Sequence, residues 1–267
     1  MAEDQRWSVV TGASSGIGAE LARVFAARGH SLVLTARRED RLLALAAELR
    51  ETHGVAAEGL GFDLEDPAAP QALFTVLEGR GLTIHTLVNN AGFGLRGRFA
   101  MLPFDEQAAM VEVNVTAVTK LARLFLPGMI ERRQGGILNV ASTAAFQAGP
   151  YMAVYYATKA YVLSLSEALH EEAKPHGVTV TALCPGPVPT EFSARASLQM
   201  TRLVKMRAMT LGAAEVARAG VEGYEAGKAI VIPGLANRIG ALGAQLGPRA
   251  LARKIAGRLQ GEQKPPH

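Results

Sequence analysis

The chain has 267 residues, 49% hydrophobic and 19% charged, which suits one globular domain with a sizeable core. Net charge is only +4, and Arg and Lys mix with acids through most of the chain, which argues against a nucleic-acid-binding stripe. One cysteine excludes an intrachain disulfide and fits a reducing compartment. No stretch reaches the roughly 20 apolar residues of a membrane span. The polar opening Met-Ala-Glu-Asp-Gln-Arg lacks a signal-peptide core, so the expected location is cytoplasmic.

Strands and helices alternate along the chain. Trp7 to Thr11 predicts a short buried strand, then a glycine-rich turn and an alanine-rich helix to about Arg28. Ser31 to Thr35 is a second strand, followed by a helix from about Glu39 to His53. Val55 to Asp63 is a third strand, and a helix starting near Pro67 leads to a fourth at Ile84 to Asn89. One long helix is expected over Phe104 to Arg132, kinked or ended by Pro127. Gly136 to Ser142, a helix from about Val154 to Pro175, Val178 to Leu183 and Ala229 to Ile232 complete the series. This alternation implies right-handed crossovers and a parallel sheet covered on both faces. The expected fold is a single-domain α/β doubly wound Rossmann fold of about seven parallel strands, with ligands outside the carboxyl ends of the strands. Two segments break the pattern: an insertion near 191–211 and a basic amphipathic tail over 235–259.

The first strand runs straight into Thr11-Gly12-Ala13-Ser14-Ser15-Gly16-Ile17-Gly18, where a helix begins. Glycines allow a tight turn and close approach to a pyrophosphate, and a helix N-terminus presents free N–H groups to phosphates. The spacing is Gly-x-x-x-Gly-x-Gly rather than the usual Gly-x-Gly-x-x-Gly. Preceded by Thr11, it resembles the classical short-chain dehydrogenase/reductase family, and the resemblance extends over about residues 7 to 191. At the end of the second strand an acid would bond the ribose of NAD, but Ala36-Arg37-Arg38 stands there. Cations suit the 2′-phosphate of NADP, and Arg37 is the expected partner, with Ser14 adding a hydroxyl. Both arginines could instead merely open an exposed helix beside Glu39 and Asp40. The resemblance assigns Asp63 to the adenine amino group and its neighbour Leu64 to the cofactor site. It also assigns Asn89, Ala91 and Gly92, within Asn89-Asn90-Ala91-Gly92, to sheet and cofactor.

Tyr155 and Lys159 lie one helical turn apart and so can share one pocket. Bringing a tyrosine from about 10 to near 7 requires roughly 4 kcal/mol. A unit charge at about 4 Å supplies about that much at an effective dielectric of about 20. Tyr224 and Lys228 share the spacing, but Gly223 and Gly227 argue against a helix there. Tyr156 is expected to face away, into core or an interface. The family resemblance implies that Tyr155 is the general acid or base and that Lys159 lowers its pKa and bonds the nicotinamide ribose. It implies that Ser142 holds the substrate oxygen and that Asn114 anchors a proton-relay water. After the sixth strand, Pro185-Gly186-Pro187-Val188-Pro189-Thr190 resembles the family's carboxamide-holding turn, which implicates Pro185, Gly186, Val188 and Thr190.

Phe93, Phe146, Met152, Phe192 and the methionines of the insertion are the expected walls of an apolar substrate pocket. Cys184 reads as a packing residue. The tail, with Arg238, Arg249, Arg253, Lys254 and Arg258 among Leu and Ile, reads as packing on the body or between subunits. Membrane-surface contact is the less favoured alternative, and Gly240, Gly243 and Gly247 argue against one continuous helix. The resemblance suggests a homodimer or homotetramer. The expected activity is NADP-dependent hydride transfer to or from a small carbonyl or alcohol. A regulator that senses NADP without turnover could dispense with the tyrosine, whereas this chain keeps Asn114, Ser142, Tyr155 and Lys159 together.

Overall fold

The computed structural model describes residues 6–191 and 209–260. Seven parallel strands form one sheet in the order β3-β2-β1-β4-β5-β6-β7. They are β1 (Trp7–Thr11), β2 (Ser31–Ala36), β3 (Ala57–Gly61), β4 (Ile84–Asn89), β5 (Gly136–Val140), β6 (Thr179–Leu183) and β7 (Ile230–Val231). Central strands are apolar on both faces, because helices cover both faces of the sheet. Val9 of β1 pairs in register with Val33 of β2 and Leu87 of β4, and all three are fully buried. Strand order reverses between β1 and β4, which opens a crevice beyond Thr11 and Asn89.

Helix α1 (Gly16–Ala27) buries Leu21, Ala22 and Phe25 against one face of the sheet. Helix α2 (Glu39–His53) carries Glu39 and Asp40 in its first turn and Arg50 in its last, as the helix dipole favours. It stops at Gly54, which takes a left-handed φ of 66°. Helix α3 (Ala69–Gly79) packs on the opposite face with Leu73 and Leu77.

The expected long helix is divided. Helix α4 (Phe104–Val111) passes into a π-helical stretch, Glu112–Ala117, and then into α5 (Val118–Arg132). Pro127 sits inside α5 without ending it. Helix α6 (Ala153–Ala173) carries Tyr155 and Lys159 on its first turns. Helix α7 (Ala213–Glu225) overturns the expectation of no helix at Tyr224. Gly220 and Gly223 are where it meets the sheet: a Cβ on Gly220 would lie 2.7 Å from Leu183, and one on Gly223 would collide with Val231. Tyr224 is buried and bonds the Thr86 hydroxyl at 3.1 Å, while Lys228 lies beyond the helix. The tail forms two helices, α8 (Leu235–Leu246) and α9 (Arg249–Gln260), broken at Gly247 and Pro248. Among the described residues no helix is long and apolar enough to cross a membrane.

Candidate active site

The crevice between β1 and β4 is built on Thr11. Its hydroxyl donates to the Val88 carbonyl at 3.2 Å and accepts the N–H groups of Asn90 and Ala91, both at 3.0 Å. The Asn90 amide reaches back to the carbonyls of Thr11 (2.9 Å) and Gly12 (3.2 Å). Asn90, given no role of its own in the sequence reading, therefore clamps the glycine turn from the neighbouring strand. Gly12 has φ of 65°, and a Cβ there would lie 2.8 Å from the Ala91 Cα. Only glycine fits such a backbone so close to another. A Cβ on Gly18 would strike the Asn90 amide and the Gly12 carbonyl. Ser15 precedes α1 without capping it, which leaves the first N–H groups of the helix for a ligand.

A cleft of about 680 Å³ runs from this turn across the ends of the strands. Gly12, Ser14, Ser15, Gly16 and Ile17 line it beside Arg37 and Arg38, with Asp63 and Leu64 close by. Ala91 and Gly92 follow, then Ser142, Tyr155 and Lys159, and then Pro185, Gly186, Val188 and Thr190. Three expected residues stand behind the wall. Gly18 packs under the turn. Asn89 points into the sheet and donates to the Asn139 carboxamide at 2.9 Å. Asn114 pins the Phe93 backbone in both directions, at 3.1 and 2.9 Å, and donates to Thr158 at 3.1 Å.

The two arginines after β2 differ. Arg37 pairs with Glu65 at 2.9 Å. Arg38 turns to the glycine turn, donating to Ser14 at 3.0 Å and to Ser15 at 3.1 Å. Arg38 is thus the cation beside Ser14, a distinction that two adjacent arginines in a sequence do not reveal. Arg38 and Arg41 both hold Glu191, and these two guanidinium groups draw its carboxyl down to about 2.

Ser142 lies two residues beyond β5 and caps a short 3₁₀ turn, accepting from the Ala144 N–H at 3.1 Å. Tyr155 hydrogen-bonds Ser142, but burial dominates and holds the phenol above its ordinary range. The opposing influence comes from Ser142 rather than from Lys159. The Lys159 ammonium donates to the Val140 carbonyl at 2.7 Å and lies 5.9 Å from the centre of the Tyr155 ring. Burial lowers Lys159 to about 8. Cys184 is fully buried behind this group, and burial pushes its thiol up to about 12. That is the packing role expected of it.

Phe93, Met152 and Met209 line the remaining wall, while Phe146 packs behind it against a cluster containing Val162. Phe192, Met200 and Met206 lie outside the described residues. Tyr156 is buried in the core, as expected, but does not face away: it lines the cleft, and its hydroxyl accepts from the Gln260 amide at 3.0 Å. Neighbours on a helix differ by only about 100°, so one cleft can reach both tyrosines. The tail completes the wall through Ala241, Ala244, Ile255, Leu259 and Gln260.

The family model for short chain dehydrogenase matches residues 6–201. The chain is 36% identical over 191 residues to the very-long-chain 3-oxoacyl-CoA reductase of Bos taurus, an alignment taking in 70% of this chain and 61% of that protein. Thus the chain spans less than two thirds of that relative's length. A short-chain dehydrogenase from Sphingobium yanoikuyae in complex with NADPH is 39% identical, with a TM-score of 0.80 over 91% of this chain and 94% of the other. The bulky-bulky ketone specific alcohol dehydrogenase from Comamonas testosteroni is 30% identical, with a TM-score of 0.77 over 99% and 97%. Matched over most of its length by the family model, and carrying the glycine turn and the tyrosine–lysine helix in one cleft, the chain belongs to the short-chain dehydrogenase family.

Proposed function

We propose that this chain is an NADP-dependent oxidoreductase acting on the carbonyl or alcohol group of an apolar small molecule. The observation that carries this reading is that Ser142, Tyr155 and Lys159 share one cleft with the glycine turn. The turn fits a dinucleotide: the Gly12 and Gly16 backbones have positive φ, a Cβ on either would meet close neighbours, and the α1 N-terminus is uncapped. Arg38, beside Ser14, would hold the 2′-phosphate, with Arg37 flanking it. Gly186, Val188 and Thr190 would hold the carboxamide.

When bound, the nicotinamide supplies or accepts the hydride. Tyr155, held protonated by burial, donates its phenolic proton to the carbonyl oxygen during reduction. Ser142 holds that oxygen by hydrogen bond. Lys159, at about 8, is a buried ammonium near neutral pH and stabilises the phenolate left on Tyr155. Asn114 fixes Phe93 and α6 so that a relay can return a proton by way of Lys159. Phe93, Met152 and the tail residues favour an apolar substrate. Val111 on α4 and Tyr161 on α6 are exposed, which supports helix pairing between subunits in a homodimer or homotetramer.

The test is an NADPH-oxidation screen over ketones, aldehydes and 3-oxoacyl thioesters of increasing apolar size. The ketone and 3-oxoacyl names borne by the Comamonas and bovine relatives direct the choice. Turnover of bulky apolar carbonyls is expected. NADPH binding with no turnover across the whole set would make the chain a cofactor sensor instead.

A further inference from the structure

Helix α8 is amphipathic in an unusual sense. Asn237, Gly240, Ala241 and Ala244 face the cleft. Leu235, Ile239, Leu242 and Leu246 are 55% to 79% exposed. At about 100° per residue the two sets lie on opposite sides of the helix. Small residues point inward and large aliphatics outward, the reverse of a helix whose only partner is the core.

The inner face is firmly held. The Asn237 amide donates to the carbonyls of Pro233 (2.9 Å) and Met209 (3.1 Å) and packs against Gly186. Helix α9 is fastened at its end, where Arg96 donates twice to the Gln260 carbonyl, at 3.0 and 2.7 Å. Burial on the body therefore accounts for one side of the tail and leaves the other uncovered.

The charges select an occupant for the uncovered side. The described tail, residues 233–260, carries Arg238, Arg249, Arg253, Lys254 and Arg258 and no acid. None of the five is ion-paired among the described residues. A second copy docked about a two-fold axis would set these cations against themselves. An anionic lipid surface accepts both features, aliphatics at the acyl boundary and cations among the headgroups. We propose that the outer face of α8, with the cations of α9, docks on anionic membrane lipid. Docking sets the cleft about one helix diameter, roughly 10 Å, from the acyl layer, where apolar carbonyl compounds collect.

The test floats the full chain with vesicles of phosphatidylcholine, with and without phosphatidylserine. Flotation is expected with phosphatidylserine and little without it. Replacing both Arg253 and Lys254 by Gln should lower partitioning roughly 25-fold, at about fivefold per cation. Leu242→Ser with Leu246→Ser should abolish flotation while circular dichroism and NADPH binding stay unchanged. Absence of wild-type flotation, equal flotation with neutral vesicles, or flotation that survives the leucine changes would overturn the proposal. A fall in particle mass on the leucine changes, read by sedimentation, would assign the face to a second copy and overturn it as well.

Discussion

Arg38 and Glu191 meet at 2.8 Å, tying the end of β2 to the segment that follows β6. Arg41 holds the same carboxylate at 2.6 Å. A 2′-phosphate at Arg38 must compete with Glu191. Glu191→Gln is therefore expected to tighten NADPH binding by up to about fivefold, the scale of an exposed ion pair, and to leave NADH unchanged. Arg38→Ser should weaken NADPH about ten- to a hundredfold with little effect on NADH. Cofactor fluorescence titration measures both. Equal shifts for the two cofactors would remove Arg38 from phosphate recognition.

Tyr155→Phe keeps the ring and deletes the proposed proton donor. Turnover should fall at least about a hundredfold, the lower end for general-acid catalysis, while the NADPH dissociation constant stays within about threefold. The measurement is steady-state NADPH oxidation on a substrate found in the screen. Retention of most activity would mean that another group supplies the proton.

Asn90→Ala should act on the cofactor turn. It removes the two bonds to Thr11 and Gly12, at about 1 kcal/mol each, and lowers thermal stability accordingly. The KM for NADPH should rise more than the KM for the carbonyl substrate. An equal rise in both would make the clamp a general packing contact.

His30 gives the fold a pH dependence of known sign. Burial first, then the nearby His85 and Arg6, lowers it to about 4, and its ring bonds the Ser8 hydroxyl at 2.7 Å. Between the ordinary value of about 6.5 and 4, the unfolded chain takes a proton that the native chain refuses. The stability tied to neutral His30 is complete above about 6.5 and declines as pH falls toward 4, by about 1.4 kcal/mol per unit. His30→Gln should flatten that slope in denaturant titrations at pH 7 and pH 5. Parallel slopes for the two proteins would assign the acid sensitivity elsewhere.

The sheet was legible because each strand is a short apolar run closed by turn residues. The glycine turn and the Tyr155–Lys159 pair were legible because their spacing and their place after strands coincide. Other features hide from one-dimensional patterns. The π-helical stretch at Glu112–Ala117 keeps the apolar rhythm of its neighbours, so nothing marks the division between α4 and α5. Helix α7 is obscured by Gly223 and Gly227: the first looks like a breaker yet serves close packing on Val231, and the second lies just past the helix end with a φ of 66°. The choice between Arg37 and Arg38 depends on which guanidinium finds Glu65 and which finds Ser14, a tertiary matter. The core position expected of Tyr156 holds, but its reach into the cleft is hidden because its partner, Gln260, lies 104 positions away.

The fastening of Gln260 by Arg96 and Tyr156 brings residues from beyond the 6–201 family match to the wall of the reaction cleft. The proposed proton donor and part of the proposed substrate wall thus lie on different stretches of one polypeptide. Substitutions in the last two helices are therefore expected to alter which molecule is accepted while leaving Tyr155 and the glycine turn in place. The buried glutamine is the joint at which the tail is held to the body.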